Sequence, residues 1–267
     1  MKPYSFVGIK SGLPALFRLI CFQVLMVLPC TLYAQNIPAV SKEDILFQRI
    51  EVFNQIKAMD DPFEDSLWYQ GRIYEFEVKS HTGTPYYFNA GTLSGSVSYN
   101  GKWYEDLILS YNLILDELVL WKTGSPGNRV PLVLNKYYVE RFTLMHYGNE
   151  YHFRLHSETN PIHEQLKEGF YEVVYEEELS MFVKHQKELN LDPNSANQSS
   201  YRYDKQVYLI LDGKVYTVDG RRDYLKAFQD DKKFLRKHMR QAKINFEKSG
   251  TQILIDLCAY SRSLLEH

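Results

Sequence analysis

Glu150, His152, Arg154 and His156 alternate with Tyr151, Phe153 and Leu155. On a strand the first four project from one face. Two imidazoles and a carboxylate are ligand types that zinc and other transition ions accept. The spacing works against a shared ion. Residues two apart on a strand are separated by about 6.6 Å, which puts His152 and His156 about 13 Å apart. Arg154 between them repels a cation. The group therefore reads as the solvated outer face of a hairpin.

Glu172 and Glu176, followed by Glu177 and Glu178, form an acidic segment. At even spacing the first two share a strand face, and paired carboxylates about 5–10 Å apart serve glycosidases. Any strand with one wet face shows the same pattern. Cys258 lies in an apolar helical stripe with no adjacent base, the setting of an inert buried thiol. The chain has no GxGxxG, Walker loop, CxxC pair or GxSxG elbow. Gly91-Thr-Leu-Ser94-Gly95 places its serine one position late for the elbow. His163-Glu164 has Lys167 where a zincin has its second histidine. Asp192-Pro-Asn194 lacks the glycine and closing glutamate of a calcium loop. No catalytic, cofactor or metal-binding residue is assigned.

The strongest asymmetry is one of charge. Arg221 to Lys248 holds ten basic and four acidic residues, in a chain whose formal net charge is −2. Lys232, Arg236 and Arg240 recur at four-residue steps on one helical face, with Lys233 and Lys237 beside them. These five could contact an anionic surface, either lipid headgroups or an acidic protein. A solvated helix face, or an internal match to the acidic sheet, explains the same pattern. Phe234, Leu235 and Met239 are expected to pack inward.

The elements that carry these residues follow from periodicity. Leu46, Ile50, Phe53, Ile56 and Met59 fall on one face of a helix over 41–59. From 72 to 218 the period is two. Asn100-Gly101, Gly148-Asn149 and Asp212-Gly213 mark hairpin turns, and Asp116-Glu117 breaks a long apolar run into two strands. Strands joined by tight turns pair antiparallel. The 21 Tyr and 15 Phe suit such half-buried sheet positions. Asn190 to Ser200 is a polar loop. After Gly220 three short helices are expected, marked by Tyr224, Leu225 and Phe228, by Phe234, Leu235 and Met239, and by Leu254, Leu257, Cys258, Ser261, Leu264 and Leu265. The fold class is α+β: an N-terminal helix, an antiparallel β-rich sheet or barrel-like meander, and a C-terminal cluster of short helices.

The start of the chain reads as an export signal. Lys2, Lys10 and Arg18 precede the apolar run Leu19 to Leu28, which is too short to span a bilayer. Cleavage after Ala34 leaves residues 35–267 as a single α+β domain, β-rich over 72–218 and helical over 220–267. That mature chain carries net charge −5, Cys258 as its one thiol and no transmembrane segment. A single cysteine forms no internal disulfide. Export and the acidic balance argue against nucleic acid as a partner.

Three stretches resemble an uncharacterised family of exported proteins of Gram-negative bacteria. They are Gly91 to Tyr111, with Gly95-Ser-Val-Ser-Tyr99, Gly101-Lys-Trp-Tyr104 and Leu109-Ser-Tyr111-Asn112; Phe170-Tyr-Glu-Val-Val-Tyr175; and Lys214-Val-Tyr216 through Ile255. The resemblance implies a β-rich exported protein ending in helices, with no activity to transfer. The expected function is that of a non-catalytic binding or scaffold protein of the cell envelope, in the periplasm or at the outer membrane. Its partner would be an unidentified envelope protein or an anionic surface. Two alternatives stand beside it: a secreted hydrolase with a site assembled from distant residues, and a peripheral membrane-surface protein using the basic helix 232–243.

Overall fold

The structure, a computed structural model, describes residues 71–74, 81–123, 129–191, 199–228 and 231–266. All belong to the unit Val52–His267. The expected signal peptide, the helix over 41–59 and the middle of the polar loop at 190–200 lie outside the described residues.

Among the described residues twelve strands form one sheet. They are β1 (Arg72–Ile73), β2 (His81–Thr82), β3 (Leu93–Tyr99), β4 (Lys102–Asn112), β5 (Glu117–Thr123), β6 (Arg129–Val133), β7 (Val139–His146), β8 (Asn149–His156), β9 (Gly169–Glu176), β10 (Leu179–Leu191), β11 (Ser199–Leu211) and β12 (Lys214–Val218). Helices α1 (Arg221–Ala227), α2 (Lys232–Gln241) and α3 (Thr251–Leu265) follow. The spatial order is β1-β6-β5-β4-β3-β7-β8-β9-β10-β11-β12, antiparallel along this path, with β2 parallel to β11. Among the described residues β1 and β12 are not paired to each other, so the described sheet is open and not a barrel.

Asn100-Gly101 and Asp212-Gly213 turn as expected, both residues of each pair having positive φ. The β7–β8 turn is shifted by one residue: Tyr147 (φ 49°) and Gly148 (φ 79°) are its centre, and Asn149 already belongs to β8. A two-residue turn of this hand places glycine second, where positive φ is easiest. Asp116 also sits at positive φ and closes the turn into β5.

β3 is the place where the chain doubles back. It pairs with β4 on one side and β7 on the other. A Cβ on Gly95 would overlap the Thr143 carbonyl oxygen of β7, so glycine is required for this close approach. Around this seam one apolar cluster gathers Tyr99, Tyr111, Phe142, Phe153 and Phe170. Phe142 and Phe153 are stacked at 4.6 Å. Deleting one such buried ring costs about 3–5 kcal/mol.

A second cluster lies under the helices. Leu179, Met181 and Val183 of β10 stand opposite Leu211, Leu209 and Val207 of β11 and pack against Tyr224, Leu235, Met239, Leu254, Leu257 and Cys258. Among the described residues no helix is long and apolar enough to cross a membrane.

Candidate functional site

The apolar alternation on the inner face of β10 and β11 does not run the length of the strands. On β10 it continues from Leu179, Met181 and Val183 into His185 and Lys187. On β11 it continues backwards from Leu211, Leu209 and Val207 into Lys205 and Tyr203. His185 stands opposite Lys205, and Lys187 opposite Tyr203. On the neighbouring β9, Glu172 stands opposite Val183. Five polar side chains are thus carried onto a face whose other half is core.

Glu172 is the centre of this group, at 1% exposure. Its Oε2 accepts a hydrogen bond from His185 Nε2 at 2.5 Å and one from the Tyr87 hydroxyl at 3.3 Å. Its Oε1 accepts from Thr251 Oγ1 at 2.5 Å. Thr251 is the first residue of α3, so the carboxylate lies at the helix end where the dipole favours negative charge. Burial works to raise the Glu172 carboxyl. The hydrogen bond and charge of His185, the Thr251 hydroxyl and the charge of Lys205 outweigh it, and the net direction is downward.

The other imidazole nitrogen, Nδ1, meets the Tyr203 hydroxyl at 2.6 Å. Thr251, Glu172, His185 and Tyr203 therefore form one continuous chain of hydrogen bonds, both imidazole nitrogens being committed to protein groups. With one proton on the imidazole, Nε2–H donates to Glu172 and Nδ1 accepts from Tyr203. With two, Nδ1–H donates to Tyr203 and frees the phenolic proton. Burial, then Glu172 and Asp204, push the Tyr203 phenol upward, so it stays protonated.

The chain ends at a pocket of about 190 Å³, walled by Tyr87, Phe88, Tyr151 and Tyr203 and floored by Glu172 and His185. Lys205, Glu247 and the start of α3 complete it. Tyr203 is 46% exposed, the outlet of an otherwise buried relay. Lys205 donates to the Ser249 carbonyl at 2.6 Å, and burial lowers its ammonium.

Tyr87 and Phe88 are presented by a strap that is itself held from beneath. Lys187 Nζ donates to the Thr84 carbonyl at 2.8 Å, the Tyr86 carbonyl at 2.6 Å and Asn89 Oδ1 at 2.7 Å. Phe88 and Asn89 both hold left-handed φ values, 55° and 56°. For a phenylalanine this conformation is strained, and it turns the ring over Tyr151 and onto His146. Desolvation lowers the Lys187 ammonium to about 8.

A separate ionic knot, Asp116 with Lys136 at 2.6 Å and Lys184 at 2.9 Å, also accepts from the Tyr111 hydroxyl and the Phe170 amide. Its acceptors and cations satisfy one another, so it serves to join the β4–β5 turn to β9 and β10.

The residues singled out in the sequence are distributed differently. Glu150 and His152 are exposed and pair with each other at 3.6 Å. Arg154 reaches Glu176 at 2.6 Å. His156 departs from the expected wet face. It is buried, Nδ1 accepting from the Ile162 amide and Nε2 bonding the Leu166 carbonyl, because the segment after β8 folds back over it. Glu172 and Glu176 do not share a face. Met181 stands opposite Tyr175 and Phe182 opposite Val173, so Val174 is an extra residue and the bulge reverses the alternation between the two glutamates. Cys258 is fully buried and its thiol is pushed upward by desolvation. Among the described residues no three His, Cys, Asp or Glu side chains converge on one point.

The five basic residues of α2 are all exposed. Leu235 and Met239 are buried as expected, but Phe234 is 56% exposed. At about 100° per residue it points well away from both of them.

His185, Tyr203, Thr251 and Lys187 were not among the sequence-derived candidates. The readable signal was the polar continuation of an apolar period-two face, present on both β10 and β11. No family model, curated protein or solved structure matches this chain.

Proposed function

We propose that this protein is an exported, non-catalytic binding protein of the cell envelope that holds a small, neutral, polar ligand in the pocket between β9–β11 and the start of α3. The observation that carries this reading is the Glu172–His185–Tyr203 relay, whose members all line the pocket, buried at Glu172 and half exposed at the Tyr203 phenol. The lining is balanced in charge, with Glu172 and Glu247 against Lys205 and Lys248. It offers donors and acceptors together with aromatic walls. That combination suits a compact hydroxylated molecule better than an ion. The volume equals that of about six waters, enough for one ring or a short chain.

Two features support binding over turnover. In the neutral imidazole the one lone pair, on Nδ1, is engaged by the Tyr203 hydroxyl and is not presented directly to a bound molecule. The Tyr203 phenol is shifted away from ionisation, which disfavours it as a nucleophile. Export rests on the Lys2, Lys10 and Arg18 region and the apolar run to Leu28.

The test is a thermal-shift screen of neutral sugars and polyols followed by calorimetry. A ligand present at a hundredfold excess over its Kd stabilises by about 2.7 kcal/mol. Binding that disappears in Tyr203→Ala and Lys205→Ala supports the proposal. A screen in which no compound shifts the wild type, or in which both variants bind unchanged, refutes it.

A further inference from the structure

We infer that the outward face of α2 is a docking surface for an anionic lipid bilayer. The inference is independent of the pocket.

Three observations carry it. The first is orientation. Leu235 and Met239 are fully buried, and they fix the inward side of the helix. At about 100° per residue, Lys237 stands diametrically opposite that pair. Lys233 and Arg240 lie to one side of Lys237, and Phe234 and Gln241 to the other. Lys232 and Arg236 are carried round toward the flank. The outermost face is therefore Lys233, Lys237 and Arg240 with Phe234, not the four-residue ladder of Lys232, Arg236 and Arg240.

The second observation is that this face is rigidly presented and not neutralised. His238 stacks on Tyr260 of α3 at 4.0 Å with the rings 13° apart, which stops the helix from rolling about its axis. None of Lys232, Lys233, Arg236, Lys237 and Arg240 has a side-chain partner among the described residues. An internal match to the acidic sheet does not absorb their charge.

The third is Phe234. Its ring is 56% exposed beside Lys237, although the helix has already used its other apolar side chains, Leu235 and Met239, for the core. A fixed cationic face with one protruding aromatic ring has the two components of interfacial binding: attraction to anionic headgroups, and a ring that enters the headgroup layer. An acidic protein would be served by the charges alone. The solvent-facing phenylalanine favours the bilayer. With a single ring to insert, the attachment is shallow, reversible and weakened by salt.

The experiment is vesicle flotation of the full mature chain. It compares vesicles of phosphatidylglycerol mixed into phosphatidylcholine with vesicles of phosphatidylcholine alone. Each Lys or Arg near such a surface is worth about fivefold in binding. Wild type is expected to float with the anionic vesicles only, and Lys233→Glu/Lys237→Glu/Arg240→Glu to lose flotation while unfolding at the wild-type temperature. Phe234→Ala should reduce flotation severalfold at unchanged charge. Phe234→Trp should add emission that brominated lipids in the anionic vesicles quench. Failure of the wild type to float with anionic vesicles overturns the inference, as does equal flotation of the triple variant. Retention on immobilised polyglutamate without flotation also overturns it, assigning the face to an acidic protein.

Discussion

His185 reaches diagonally across the β10–β11 ladder to Tyr203, Nδ1 to hydroxyl at 2.6 Å, although the residue directly opposite it is Lys205. Diagonal neighbours on an antiparallel pair lie within reach only of long or aromatic side chains. This bond therefore depends on a ring at 203. Tyr203→Phe keeps the ring and removes the hydroxyl. Because Tyr203 is half exposed, water can replace part of the lost bond, and the expected cost is about 1 kcal/mol. Urea unfolding measures it; a cost above that of Glu172→Ala would contradict the order of burial along the relay.

Glu172 is the member whose loss should be felt most. Its removal strands His185, Thr251 and Tyr87, each of which uses the carboxylate as acceptor. Glu172→Ala should destabilise by about 3 kcal/mol or more, the usual result of breaking one side of a buried pair. Glu172→Gln, which retains one oxygen acceptor and the shape, should cost less. Equal unfolding midpoints for wild type and the alanine variant would disprove the account.

The same carboxylate gives the protein an acid limit. Its folded-state pKa is depressed below the ordinary 4.5. The unfolded chain thus takes up its proton first as pH falls, and stability drops with it. The contribution is present above 4.5 and is lost as pH falls through the lower folded value. Between neutral pH and pH 3 the wild type should lose more stability than Glu172→Gln, which has no proton to take up there.

Lys187 works in the opposite sense at high pH. Its ammonium is depressed from 10.5 to about 8 in the folded protein. Between those two values the unfolded chain binds more protons, so stability attributable to this side chain rises with pH. Wild type should gain on Lys187→Met across that interval in denaturant titrations. A difference that is flat with pH would show that burial does not depress the group.

In a protein of residues 35–267, where it is the one thiol, Cys258 should be inert to Ellman's reagent when folded and titrate fully in denaturant, since it is fully buried and its thiol is pushed upward. Prompt native labelling would place α3 elsewhere.

Much of the sheet was legible because its signals are local. Asn100-Gly101 and Asp212-Gly213 need only two residues to specify their turns, and the buried Leu254, Leu257, Cys258 and Ser261 need only helical spacing. The site was not legible, because its members come from 87, 172, 185, 203 and 251: strand register joins the middle three, and the strap at Tyr87 and the start of α3 at Thr251 are brought over them by the tertiary fold. Even Glu172 and Glu176, close in sequence, were misassigned to one face, since nothing in the Val173-Val174 pair announces a bulge. His156 shows the same limit: alternation placed it toward water, and a later segment covered it. Phe234 shows another. Hydrophobicity suggested burial, while the angle fixed by Leu235 and Met239 turned it out.

The doubling back at β3 divides the sheet into two runs of hairpins, 93–133 and 139–218, and among the described residues β3·β7 is the strand pairing that joins these runs. Each run can zip up from its own turns, so assembly order is not dictated by chain order. Mechanical load is borne unevenly in consequence. A pull that drew 93–133 away from 139–218 would shear one ladder of five paired positions, with Gly95 at one end of it, and would also break the Asp116–Lys184 pair. Stretched in an optical trap, the protein should tear at that ladder, and any side chain forced in at Gly95 should lower the force required.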